Sequence, residues 1–245
     1  GDRAVPGAHQ SRSLPVALLV AARPKQWVKN LLVFAAPGAA GVVDRSAAFA
    51  EATGAFVCFC LAAAGTYYLN DAADIDADRR HPTKRFRPIA AGEIALPLAR
   101  VLGVVLIVAS VAVGAAIEPN LAVVLACYVT LTTAYSTWLK HIAVVDVVAV
   151  AAGFVLRAIG GAAAVDVPIS NWFFIVATFG SLFMVVGKRR AEVGEMGDEA
   201  ASTRRSLSAY SPTFLAELQT VSTAVVLVGY CLWAFEKAEV AGASV

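Results

Sequence analysis

Apolar residues recur along this chain in runs long enough to cross a lipid bilayer, and clusters of charge close most of them. Runs near the spanning length of about 20 residues fall at 27–43, 48–69, 97–117, 120–138, 143–163, 171–187 and 218–235. They predict seven transmembrane helices in an all-α polytopic membrane protein, because no segment shows the alternation of a barrel strand. The first run is the least regular, broken by Pro37, Gly38 and Gly41. A shorter apolar stretch, 14–22, precedes Arg23 and predicts an interfacial helix. No small-residue cleavage site precedes a polar mature start there, which argues against a cleaved signal. The chain thus divides into an N-terminal segment, 1–22, and one membrane domain, 23–245. Its long loops, 71–95 and 188–217, fall on one side of the bilayer.

Composition agrees with that pattern. Hydrophobic residues make up 59% of the 245 and mean hydropathy is +0.70, far from a soluble domain. The net charge of +2 says little, but its sidedness is informative. Sixteen Lys and Arg fall on alternate loops, among them Arg23, Lys25, Lys29, the 79–87 cluster, Lys140 and Lys188–Arg190, whereas the opposite loops hold only Arg45 and Lys237. The positive-inside rule then places the N-terminus and those loops in the cytoplasm, at the cell (inner) membrane. Cations lying beside membrane spans also argue against nucleic acid as a partner.

The second span runs directly into Asn70-Asp71-Ala-Ala-Asp74-Ile-Asp76-Ala-Asp78. Four acids at the end of a membrane helix require compensating charge. At about 100° per residue, Asp71, Asp74 and Asp78 fall within roughly 60° of one another. Asn70 lies at the edge of that face and Asp76 points elsewhere. Oxygen donors without Cys or His suit a hard ion, Mg²⁺ before Zn²⁺, with water and substrate phosphates completing its shell. Asn70, Asp71, Asp74 and Asp78 are therefore the candidate metal ligands and catalytic residues, and the substrate class is phosphorylated. A solvated acidic helix end is the plain alternative. An EF-hand is excluded, since counting from Asp74 puts Arg79 at its glycine position and Arg85 at its glutamate position.

Further along the loop, Lys84, Arg85 and Arg87 are candidates for phosphate oxygens that the metal does not hold, the alternative being anchorage to anionic headgroups. For Arg79 and Arg80 both readings stand. Pro82, Pro88 and Gly92 predict a fixed, non-helical hairpin over the pocket. Tyr135 and Lys140 end the fourth span, where Trp138 reads as an interfacial anchor. Asp146 and Arg157 lie about three turns apart on one face of the fifth span, either pairing with groups elsewhere or lining a substrate cavity. Cys58, Cys60, Cys127 and Cys231 lie within spans as small buried hydrophobes. His9, His81 and His141 show no ligand spacing.

Three pieces resemble the UbiA superfamily of membrane prenyltransferases: Arg23-Pro-Lys-Gln-Trp-Val-Lys-Asn30, the Asn70–Asp78 run, and Lys84-Arg-Phe-Arg-Pro-Ile89 with Gly92. The Tyr135–Lys140 segment matches too, and the likeness covers roughly 20–235. It implies a UbiA-like helical bundle of nine transmembrane helices with a lateral opening for an isoprenoid. About seven are legible here, leaving two to lie beyond Val245. The family's second aspartate-rich motif is replaced by Lys188-Arg189-Arg190-Ala-Glu192-Val-Gly-Glu195-Met-Gly-Asp198-Glu199. That replacement resembles the branch that moves a 5-phosphoribosyl group from phosphoribosyl pyrophosphate to a polyprenyl (decaprenyl) phosphate, a precursor step for cell-wall arabinan. The resemblance implies Mg²⁺ as cofactor and membrane lipids as surroundings, and a homo-oligomer is left open. On this reading Lys188, Arg189 and Arg190 take donor phosphates, and Arg23, Lys25 and Lys29 take the acceptor phosphate. Tyr135, Lys140, Asp146 and Arg157 shape the sugar pocket, while Glu192, Glu195 and Asp198 hold a second ion or cap the loop. The nearest rival is an aromatic prenyltransferase using a prenyl diphosphate. An ion-coupled transporter is disfavoured, because its acids belong at the bilayer midplane.

Overall fold

The computed structural model describes residues 12–196 and 210–242. Six helices are long and apolar enough to cross a bilayer: α3 (Ser46–Ala73), α5 (Leu96–Ile117), α6 (Pro119–Thr137), α7 (Val145–Ala164), α8 (Asn171–Met196) and α9 (Pro212–Gly242). Short α1 (Leu14–Ala21), α2 (Ala35–Ala39) and α4 (Ile75–Arg80) accompany them. The all-α class matches the sequence reading, and the apolar stretch over 14–22 forms the helix α1. Residue Pro119 shows how tightly the hydrophobic pattern is punctuated. It opens α6 two residues after α5 ends, because a proline fits the first turn of a helix but not its interior.

The first predicted span, 27–43, takes a different form. Pro24–Phe34 is a 3-10 segment that passes into α2. It nevertheless runs antiparallel to α3 over most of that helix's depth. Arg23 bonds Asp71, the Asn30 amide donates to Cys60, and the Phe34 ring meets Phe56 and Phe49. Its eleven residues reach about 22 Å at the 3-10 rise. The fifteen residue steps of α3 from Asp71 back to Phe56 cover a similar distance at about 1.5 Å each. The tighter winding lets few residues cover that depth and turns Lys29 and Asn30 inward.

Helix α7 packs between that segment and α8, and also contacts α3 and α6. Its small residues make this closeness feasible: a Cβ built on Gly161 would stand 1.7 Å from the Val33 carbonyl oxygen. Phe59, Leu121, Leu125 and Tyr128 fill the core beside that contact. A second cluster seats α1 and Ile89 and Ile94 of the hairpin on Tyr68 of α3. A third, with Val147, Val186, Tyr210 and Leu215, joins α7, α8 and α9. Valines 101, 104, 105 and 108 of α5 and Leu227, Val228 and Phe235 of α9 stay exposed. So extended an apolar surface belongs in lipid.

The loop expected over 188–217 begins later than predicted, since α8 continues to Met196. Lys, Arg, Ala and Glu favour a helix, and Glu192 pairs with Arg189 at 2.6 Å and with Lys188 at 3.7 Å, one turn apart. Lys188–Arg190 are therefore presented by a rigid helix. The hairpin of the other long loop is ordered, with one 3-10 turn at Lys84–Phe86 where the sequence reading expects no helix. Gly92 takes a φ of +80°, open to glycine at no steric cost, and the Pro88 carbonyl accepts from the Glu93 and Ile94 amides.

Candidate active site

The acidic run is bent at its middle. Helix α3 ends at Ala73, Asp74 leaves helical geometry (φ −91°, ψ 10°), and α4 restarts at Ile75. Asp71 and Asp78 still converge, both almost fully buried, and they share one guanidinium. Arg87 Nη1 donates to Asp71 Oδ1 at 3.1 Å and to Asp78 Oδ2 at 2.8 Å. Arg23 Nη2 also donates to Asp71 Oδ1, at 2.6 Å, with its guanidinium over the Tyr67 ring at 4.6 Å. Arg23 adopts a left-handed φ of +53°, uncommon outside glycine, and that turn aims its side chain at the acids. The Asn70 amide donates to Ser136 Oγ at 2.7 Å, fastening α3 to α6. Asp76 is exposed and away from the group, as the helical angles predict.

A cavity of about 920 Å³ opens beside these residues. Asn70, Asp71 and Asp74 line it, whereas Asp78 lies behind, held by Arg87. Among the described residues no three or more Asp, Glu, His or Cys side chains close around one point. The carboxylates alternate with arginines instead, which neutralise them at close range. The donors on the wall are oxygens only, and Mg²⁺ needs few protein carboxylates when phosphates and water supply the rest. That donor set fits the ion.

Of the hairpin cations, Lys84 and Arg87 reach the cavity. Arg85 lies over the Phe86 ring at 4.8 Å, and Arg79 Nε donates to the Ala90 carbonyl at 3.2 Å, fixing the hairpin. Arg80 is exposed. The lining also includes Lys29, Tyr135, Lys140 and, from α8, Lys188 and Arg189. Lys25 and Arg190 are not on the wall: Lys25 is exposed and Arg190 donates to Gln219 at 3.2 Å. Arg157 forms part of the floor, donating to Asn30 Oδ1 (2.7 Å), the Gly153 carbonyl (2.6 Å) and the Tyr128 hydroxyl (2.9 Å). Hydrogen bonds to a charged group contribute about 1.5–3 kcal/mol each, which holds this buried guanidinium without a carboxylate. Val28, Leu31, Leu32 and Met184 supply the apolar part of the wall.

Asp146 faces the interior as expected but does not line the cavity; it backs Arg189 from inside the bundle. Tyr210, immediately before α9, donates its hydroxyl proton to Asp146. Burial first, and that hydrogen bond next, push the Tyr210 phenol well above its ordinary range. Glu192 neutralises Arg189 and Lys188 and has no metal-binding partner among the described residues. The Glu195 side chain, Asp198 and His9 lie outside the described residues. Asn30, Tyr67, Tyr128 and Tyr210 had no assigned role in the sequence reading. Polar tips inside apolar spans were the available signal for Tyr67 and Tyr128, while Tyr210 carried none. No histidine or cysteine lines the cavity among the described residues.

The sequence model of the UbiA prenyltransferase family matches residues 31–242. The decaprenyl-phosphate phosphoribosyltransferase of Mycolicibacterium smegmatis is 46% identical over 240 residues, covering 96% of this chain and 76% of that protein. The protein of the same name from Corynebacterium glutamicum is 42% identical over 231 residues, 92% of this chain and 69% of its own. Among solved structures, a UbiA homolog from Archaeoglobus fulgidus bound to DMAPP and Mg²⁺ superposes with a TM-score of 0.64 at 19% identity, over 91% of this chain and 87% of that one. A digeranylgeranylglyceryl phosphate synthase gives 0.69 at 14% identity, over 89% and 78%. At these identities the structures speak for the fold alone.

Proposed function

The chain belongs to the UbiA prenyltransferase family, and we propose that within it the protein is a decaprenyl-phosphate phosphoribosyltransferase, the activity that names relatives 42–46% identical to it. It is an integral membrane enzyme that transfers a phosphoribosyl group to decaprenyl phosphate. We assign phosphoribosyl pyrophosphate as the donor, diphosphate as the leaving group and the cytoplasm as the side on which the site opens.

One observation carries the donor assignment. Cations line the cavity in two sets: Arg23, Lys84 and Arg87 with the acids, where Arg23 and Arg87 bond Asp71, and Lys188 and Arg189 from α8, with Lys29. A prenyl diphosphate offers one polyanionic end, whereas a ribosyl donor with a diphosphate and a 5-phosphate offers two. Asn70, Asp71 and Asp74 would hold Mg²⁺, with Asp78 and Arg87 fixing Asp71 from behind. When bound, the ion supplies electrostatic stabilisation to the departing diphosphate. Lys84 and Arg87 bind diphosphate oxygens, and Lys188 and Arg189 bind the 5-phosphate. Arg157, Tyr135 and Lys140 border the sugar. The bond from ribose C1 to the diphosphate breaks as an oxygen of the lipid phosphate bonds to C1, with inversion at that carbon. The attacking oxygen is already anionic, so no general base is required, in keeping with a wall that has no histidine among the described residues. Preset cations acting where charge develops supply the remaining rate enhancement.

The test is a transfer assay with purified protein, Mg²⁺, labelled phosphoribosyl pyrophosphate and polyprenyl phosphate, with EDTA as control. Magnesium-dependent label in the lipid phase is the expected result. Folded protein that transfers no label refutes the assignment.

A further inference from the structure

Behind the cationic wall lies a buried relay whose inner members, Asp146 and Tyr210, do not line the cavity. Asp146, fully buried at the start of α7, faces Arg189 across the α7–α8 contact, with Oδ2 3.4 Å from Arg189 Nε. That pair is an ion pair without hydrogen-bond geometry, and among the described residues neither atom has a hydrogen-bond partner. The other oxygen of Asp146 accepts the Tyr210 hydroxyl proton. The Tyr210 oxygen in turn accepts the amide of Val144 at 2.7 Å. Val144 holds a φ of +68°, an outlying conformation for a β-branched residue. Arg189 completes the chain toward the cavity: Nη1 donates to Glu192 at 2.6 Å and Nη2 to the Tyr135 hydroxyl at 3.2 Å. Three elements and one strained turn therefore converge on a single guanidinium at the cavity wall.

We propose that Tyr210 and Asp146 are positioning residues, which fix the Arg189 guanidinium and the Tyr135 hydroxyl so that a substrate phosphate meets a preset cation. Neither residue touches substrate. This rests on the reading of the cavity as a phosphoribosyl-transfer site. The proposed function assigns that phosphate to the ribosyl donor, and the kinetics separate it from the phosphate of the lipid acceptor.

Steady-state rates are to be measured with each substrate varied in turn, for the full chain and for Tyr210→Phe, Asp146→Asn and Arg189→Lys. Size-exclusion profiles and thermal unfolding in detergent report folding. Tyr210→Phe keeps the ring stacked on Phe214 and removes only the hydroxyl. Its KM for one substrate should rise about tenfold, the order set by one buried hydrogen bond, with the other KM and kcat within about twofold. Arg189→Lys should raise the same KM. A rise for phosphoribosyl pyrophosphate identifies the donor's phosphate, and a rise for polyprenyl phosphate identifies the acceptor's. Unchanged KM values in folded Tyr210→Phe, with Arg189→Lys impaired, overturn the positioning role and leave the transfer reading standing. An equal rise in both, or a folding defect in Tyr210→Phe and Asp146→Asn alike, also overturns it by showing a general structural role. Wild-type protein without transfer overturns the reading and this inference with it.

Discussion

Arg87→Gln removes the one guanidinium shared by two buried acids of the site. Asp78 is 3% exposed and, among the described residues, its carboxylate pairs with Arg87 alone. Asp71 keeps Arg23 at 2.6 Å. Removing one partner of a buried pair costs about 3–5 kcal/mol. Because the Arg87 side chain is 30% exposed and Asp71 remains paired, the cost falls to the bottom of that range or below it, about 2–3 kcal/mol. A double-mutant cycle isolates the interaction. Asp78→Asn takes away the charge that Arg87→Gln leaves uncompensated, so the double variant should be less destabilised than the sum of the two, with coupling of at least about 1 kcal/mol. The assay is equilibrium unfolding in detergent, monitored by circular dichroism at fixed low Mg²⁺. Additive losses, or a single variant as stable as wild type, would show that the Arg87–Asp78 pair does not secure the acidic motif and would refute the reasoning.

Asp74→Asn and Asp71→Asn should differ in kind. Asp74 is exposed at the cavity wall and has no side-chain ion pair among the described residues, so its loss should lower turnover by about 10²-fold or more while unfolding is unchanged. Asp71→Asn should lower both. Equal thermal stability and equal rates for the two would contradict the geometry. Gly161→Ala forces a Cβ to 1.7 Å from the Val33 carbonyl oxygen and should cost about 3 kcal/mol or more. Gly153→Ala meets only the Arg157 guanidinium at 3.7 Å and should fold normally; melting curves of the two decide it. Lys25→Ala and Arg190→Ala, both off the cavity wall, should keep initial rates within about twofold, whereas Lys29→Ala and Lys188→Ala should lower them about tenfold, each ion contact contributing on the order of 1–2 kcal/mol. Equal losses in all four would contradict the placement of the cations.

Much of this architecture is legible in the residues. Six apolar runs became six long helices, and Asp71 and Asp78 share one side as a continuous helix would place them, although the helix breaks between them and Arg87 is what joins them. The break at Asp74 was not legible, since Ala72, Ala73 and Ile75 carry no breaker and the bend depends on tertiary packing of the hairpin against α1 and α3. The 3-10 winding of Pro24–Phe34 was hidden for a similar reason. Its span-length hydrophobicity is real, but the choice of 2.0 Å over 1.5 Å per residue depends on the partners that Arg23, Asn30 and Phe34 find along α3. Charge at Lys188–Arg190 read as the start of a loop, whereas Glu192 one turn on lets the helix continue. Arg190 and Lys25 were named for their charge, which sequence shows; their direction depends on helix rotation. Tyr210 could not be read as part of the site because its partners, Asp146 and Val144, lie 64 and 66 residues away.

The most direct measurement of the central claim is a competition in one vessel. Purified protein with Mg²⁺ receives phosphoribosyl pyrophosphate, polyprenyl phosphate, a prenyl diphosphate and 4-hydroxybenzoate together, and mass spectrometry identifies the lipid products. The account predicts polyprenylphosphoryl-5-phosphoribose, abolished by EDTA and by Asp74→Asn, with no prenylated benzoate. Prenylated benzoate as the main product would contradict it, placing the departing diphosphate on the lipid.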